Sequence, residues 1–76
     1  MDHSSDEDIL LNFSMKLTER MKSAGFSFRD LSAASGVSVG HLSDLALGKK
    51  EPGLIVLVRI AEALGASASD LLQGIK

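Results

Sequence analysis

The stretch that decides the fold is Ser27-Phe28-Arg29-Asp30-Leu31-Ser32-Ala33-Ala34-Ser35-Gly36-Val37-Ser38-Val39-Gly40-His41-Leu42-Ser43-Asp44-Leu45. Ser27-Phe28-Arg29-Asp30 has the form Ser-x-x-Asp, a variant of the capping box, in which a hydroxyl and a carboxylate close the start of a helix. Leu31 and Ala34 follow at helical spacing, with Phe28 beside them, and Gly36 stops the run, giving a short helix at about 28–35. Ser38 caps the next helix, Leu42 and Leu45 form its inward stripe, and Gly48 closes it, giving a helix at about 39–47. Between the two, Ser35-Gly36-Val37-Ser38 must turn the chain within four residues. Gly36 can take the left-handed conformation that this needs. Val37 supplies an apolar plug beneath the turn. Leu31, Val37, Leu42 and Leu45 then hold both helices on a core, and Val39, Gly40, Ser43 and Asp44 are left to face something else.

Upstream, Ser5-Asp6-Glu7-Asp8 reads as a cap and an acidic first turn. Ile9, Phe13, Leu17 and Met21 recur at i, i+4, with Leu10 and Ala24 flanking, so a helix is expected over about 6–24, ended by Gly25. Downstream, Lys49-Lys50-Glu51-Pro52-Gly53 is a loop, because proline disfavours helix at the residue before it. A fourth helix is expected from Leu54 to Leu64, with Leu54, Leu57, Val58, Ala61 and Leu64 on one face and Gly65 at its end. Ser67-Ala68-Ser69-Asp70 is a second Ser-x-x-Asp start, opening a last short helix with Leu71 and Leu72 that ends near Gly74. Alternating strand patterns are absent. The expectation is an all-α, compact five-helix bundle, with residues 1–8 an acidic N-terminal segment and residues 9–76 a single domain.

Seventy-six residues allow one core. A core this small supplies about 3–5 kcal/mol, which favours pairing with another chain. With no cysteine there is no disulfide framework, thiolate zinc site or cysteine nucleophile, and a reducing cytoplasmic setting fits. The longest apolar run, Leu54–Val58, is far too short to span a membrane, and the acidic start is no signal peptide. His3 and His41 lie far apart, and neither a Ser-His-acid set, a phosphate loop nor metal-ligand spacing is present, so neither an enzyme nor a cofactor is expected. The formal charge is −2, but Asp2, Asp6, Glu7 and Asp8 all fall in the first eight residues. Residues 9–50 hold Lys16, Arg20, Lys22, Arg29, Lys49 and Lys50 against Glu19, Asp30 and Asp44, a net of +3. The leading acids suit the positive end of a helix dipole; the alternative is an electrostatic brake on anion binding.

Two short helices about Ser35-Gly36-Val37-Ser38 are the sequence form of a helix-turn-helix. The ordered set Gly25-Phe26-Ser27-Phe28-Arg29-Asp30-Leu31-Ser32, Gly36-Val37-Ser38, Leu42-Ser43-Asp44-Leu45, Gly48-Lys49-Lys50-Glu51-Pro52 and Ile60-Ala61-Glu62-Ala63-Leu64-Gly65 resembles the Cro/C1-type, or Xre, helix-turn-helix family over about residues 15–73. The resemblance implies a lambda-repressor-like bundle. Three departures stand out. Phe28 replaces a glutamine that contacts phosphate in many members, leaving that role to backbone N–H groups. Ser32 replaces a common alanine. Met21 and Ala46 fall where many members bury an Arg–Glu pair. Loss of one partner would strand a charge at about 3–5 kcal/mol, whereas two apolar replacements are neutral or better. Met21 is therefore expected to pack near Ala46.

What the resemblance implies is a sequence-specific, double-stranded DNA-binding transcriptional regulator, a homodimer on a palindromic operator. Helix 39–47 would enter the major groove. The base-facing candidates are then Val39, Gly40, Ser43 and Asp44, none of them a side chain that makes bidentate contacts to guanine or adenine. Val39 suits a thymine methyl, Ser43 several bases, and Asp44 a cytosine amino group, or else it repels phosphate. Gly40 permits close approach. The phosphate candidates are Ser27, Phe28 (through its backbone), Arg29, Ser38, His41, Lys49 and Lys50. Each has a plain structural alternative: the serines cap helices, the cations are solvated, His41 is surface. Phe28 looks exposed. Lys16, Arg20 and Lys22 read as a solvated face. A dimer interface is expected at Leu71, Leu72 and Ile75, one of which closes the core; Ile9 and Leu10 on the long first helix are a second candidate surface. The rival is a protein–protein interaction module, or an antitoxin-type partner-binding protein, using the same fold.

Overall fold

Serine hydroxyls start four of the five helices. The structure, a computed structural model, describes residues 5–72. Its elements are α1 (Asp6–Ala24), α2 (Phe28–Ser35), α3 (Val39–Ala46), α4 (Leu54–Ala63) and α5 (Ala68–Leu71). The hydroxyls of Ser5, Ser27, Ser38 and Ser67 accept from the amides of Asp8, Asp30, His41 and Asp70 at 3.1–3.2 Å. Each bond satisfies a first-turn N–H that the helix itself cannot pair. At Ser27 and Ser67 the box is complete, because the carboxylates of Asp30 and Asp70 accept from the serine amides at 2.9 Å. α4 starts at Gly53 with no side-chain cap. Three expected helix ends move back: Leu47 caps α3, Leu64 caps α4, and α5 ends at Leu71 with Leu72 as its cap, short of the expected Gly74.

The core joins all five helices through Phe13, Leu17 and Met21 of α1, Leu31 of α2, Val37 of the turn, Leu42 and Leu45 of α3, Leu57, Ile60 and Ala61 of α4, and Leu71 of α5. Each fully buried leucine contributes about 1.5–3 kcal/mol through the water it sheds. α1 packs on α3 and α5, α2 on α3 and α4, and α4 on α5. Met21 is buried, and Ala46 packs against the same core from α3. No charge is stranded where the ion pair of the resembled family would lie.

The turn is built as its residues require. Gly36 takes φ +77°, and Val37 is buried beneath it. A buried hydroxyl, unforeseen in the sequence, ties the turn to α2. Ser35 Oγ donates to the Leu31 carbonyl at 2.6 Å and accepts from the Val37 amide at 3.2 Å.

Three expectations change. On α4 the buried face is Leu57, Ile60 and Ala61, while Leu54 is 76% and Val58 39% exposed. Leu54–Val58 is apolar all round, so its periodicity defines no face, and Leu54 sits in the first turn beyond the core. Phe28 is half-buried and packs with Phe26 against the core instead of presenting its ring to solvent. Leu71 is wholly buried and closes the core, which removes it from any dimer surface; Leu72 is 37% exposed, and Ile75 lies outside the described residues.

Candidate nucleic-acid interface

α3 is divided lengthwise by its packing. Leu42 and Leu45 are wholly buried, whereas Val39 is 42% exposed, Gly40 is open, and Ser43 and Asp44 are half-buried. All four base-facing candidates thus lie away from the core on one helix. Leu47 continues the same face at i+4 from Ser43 and is 62% exposed. It was not expected there, because a helix-ending leucine reads as core until the packing direction is known. A Cβ on Gly40 would meet no atom within 4 Å.

The face carries no cation of its own, but one reaches it from the following turn. Lys50 Nζ lies 3.6 Å from Asp44 Oδ2, with side chains 59% and 34% exposed. At that exposure the pair is worth about 0–1 kcal/mol. Its consequence is local: the carboxylate most able to repel a phosphate is neutralised. Helical periodicity does not predict the pair, since five residues, the left-handed Gly48 among them, separate its members.

The phosphate candidates fall into three places. Ser27, Phe28 and Arg29 start α2, Ser38 and His41 start α3, and Lys49 and Lys50 follow α3. Ser27 and Ser38 spend a lone pair on capping, which leaves the hydroxyl proton for another acceptor. The amides of Phe28 and Arg29 make no hydrogen bond in the described structure, as expected of a helix's first turn. Arg29 and Lys49 are exposed and join no ion pair among the described residues. The bond from the Ser27 amide, with its hydroxyl second, holds the Asp30 carboxyl below the ordinary aspartate value of 3.8. That carboxylate keeps the α2 start partly neutralised. His41 is half-buried.

Two cations serve the scaffold. Arg20 lies 4.0 Å from Asp70, linking α1 to α5. Arg59 Nη1 stands 3.6 Å from where a Gly36 Cβ would sit, beside the C-terminal end of α2, where a positive charge suits the helix dipole. No group of His, Asp and Glu side chains able to hold a metal occurs among the described residues. None of their helices is long and apolar enough to cross a membrane.

This geometry has counterparts among known proteins. The family described as helix-turn-helix matches residues 17–71. The HTH-type transcriptional regulator DdrOP3 of Deinococcus deserti is 36% identical over 66 residues, covering 82% of this chain and 51% of that protein. The chain therefore spans about half the length of that curated relative. The crystal structure of the clp gene regulator ClgR from Corynebacterium glutamicum is similar at 36% identity and a TM-score of 0.79, covering 84% of this chain and 68% of that one. The restriction–modification controller protein C.AhdI from Aeromonas hydrophila has the same fold, with a TM-score of 0.79 at 24% identity, covering 82% of this chain and 94% of that one.

Proposed function

Because the chain belongs to the helix-turn-helix family of DNA-binding transcriptional regulators, we propose that it binds a palindromic DNA operator as a homodimer, with α3 in the major groove. The observation that carries this reading is the division of α3. Two leucines anchor it, its opposite face is open, and Lys49 and Lys50 follow at its end. In this arrangement Val39, Gly40, Ser43 and Asp44 meet base edges. Ser27, Arg29, Ser38, His41, Lys49, Lys50 and the Phe28 amide meet phosphates. Val39 and Leu47 favour thymine methyl groups, and Asp44 favours a cytosine amino group. A body that is only mildly basic and a reading face without a cation of its own make one domain a weak binder. Two domains on half-sites about 34 Å apart correct this. A cytoplasmic setting is part of this proposal, and no cofactor enters the reading.

Selection of bound sites from a random duplex pool tests the proposal. The expected result is a palindrome with half-sites one helical turn apart, bound with an affinity that falls steeply with salt. Absence of enrichment, together with salt-insensitive capture of a protein through Val39 or Leu47, would establish the interaction-module reading instead.

A further inference from the structure

α1 has a second stripe on the side away from its buried one. Asp8, Leu11, Met15, Thr18 and Lys22 follow one another at spacings of three, four, three and four residues, which keeps them on one helix face. All five are exposed, Leu11 at 55% and Met15 at 58%. Thr18 Oγ1 donates to the Met15 carbonyl at 3.0 Å, which satisfies the hydroxyl within the helix and leaves the methyl group for packing. The stripe is therefore apolar in its middle, with a carboxylate at one end and an ammonium at the other. Neither Asp8 nor Lys22 joins an ion pair among the described residues. Leu11 Cδ2 lies 3.9 Å from where a Gly48 Cβ would stand, so the end of α3 and the exposed Leu47 adjoin the stripe.

We propose that this stripe is a self-association surface, and that its occupant is α1 of a second copy of the chain lying antiparallel to it. Charge complementarity selects both occupant and direction. An antiparallel two-fold sets Met15 against Met15, Leu11 against Thr18, and Asp8 against Lys22 of the second copy, twice over. The acidic turn Asp6, Glu7 and Asp8 of each helix then meets the basic end of the other. A parallel pair would set like charges together at both ends. The surface is distinct from the α5 end and needs no DNA. Five side chains a side bury less than the roughly 1,000 Å² of a stable interface, so the contact is weak in the free protein. It gains strength where copies on neighbouring sites are held along one duplex, through effective concentration.

The chain has no cysteine, so Met15→Cys introduces a single thiol that the two-fold places opposite itself. With oxidised glutathione, Met15→Cys is expected to form a disulfide-linked dimer much faster than Ser23→Cys, an exposed α1 position off the stripe. Equal rates, or a Met15→Cys chain that forms no disulfide-linked dimer, overturn the proposal. Sedimentation equilibrium tests the direction, in the Leu72→Asp/Ile75→Asp background so that pairing through the α5 end does not mask the stripe. Lys22→Glu should weaken self-association roughly three- to tenfold, and Asp8→Lys/Lys22→Glu should restore it. If Lys22→Glu has no effect, or the double variant does not recover while its circular dichroism stays native, the antiparallel pairing is wrong.

Discussion

Asp44 is the side chain whose role on α3 depends most on a single neighbour. Alone, a carboxylate on a DNA-facing helix repels phosphate. Held 3.6 Å from Lys50, it is neutralised and still able to accept from a base amino group. Lys50→Ala should therefore weaken binding to the selected operator beyond the loss of one phosphate contact, by about fivefold or somewhat more. Lys49→Ala should cost only its own contact and reduce the salt slope by about 1. Adding Asp44→Asn to Lys50→Ala should recover part of the affinity. Anisotropy titrations of a labelled duplex across a salt series would check this; no recovery would mean that Asp44 does not repel a phosphate in the complex.

At the scale of the helix, the two capping boxes make stability depend on acid. The amides of Ser27 and Ser67, with the serine hydroxyls second, hold the Asp30 and Asp70 carboxyls below the ordinary value of 3.8, and Arg20 adds to the effect at Asp70. A carboxyl lowered on folding contributes stability that is present above the unfolded value and is lost as pH falls through the folded one. The urea midpoint should hold steady down to that ordinary value and drop below it. Asp30→Asn/Asp70→Asn should begin lower at neutral pH and flatten the acid limb. The same boxes explain why so much of the fold was legible. Serine starts and glycine stops are local chemistry, and they placed α1 and α2 to the residue. Features set by neighbouring elements were not legible. α4 has no side-chain cap and an apolar first turn, so its buried face appears only once its packing on α2 and α5 is known. Leu71 and Leu72 are adjacent leucines, and only the seating of α5 on α1 and α4 sends the first inward. Phe28 stands among polar residues at the start of α2, yet its ring turns to the core. In the candidate site, the open face of α3 followed from Leu42 and Leu45. The Lys50 partner and the Leu47 extension did not, because one crosses a turn and the other ends a helix.

For the whole molecule, the deciding quantity is how little surface a chain of 76 residues can bury. A domain of this size removes only about 60% of its unfolded surface from water, so burial through association would add to its stability. The exposed Leu72 is the described apolar residue at the α5 end, and Ile75 follows it in sequence. Leu72→Asp/Ile75→Asp should sediment as a monomer on the operator-binding dimer's scale and bind a half-site about as well as the parent chain. Its affinity for the full palindrome should fall by about a hundredfold, the lower end of what linking two sites provides. Dimers of unchanged strength would move the operator-binding interface away from this end of the bundle.

Gly40 makes the molecule easy to retarget. It lies on the open face of α3 with ordinary helical φ, and a Cβ there meets nothing within 4 Å. Replacement by almost any residue other than proline raises helix propensity, by up to about 1 kcal/mol for alanine. On the proposed reading, in which Gly40 meets base edges, specificity and foldability are thus uncoupled at this one codon. When an operator drifts, a compensating change at Gly40 needs no second mutation to keep the protein folded, and the lineage can follow its binding site in a single step.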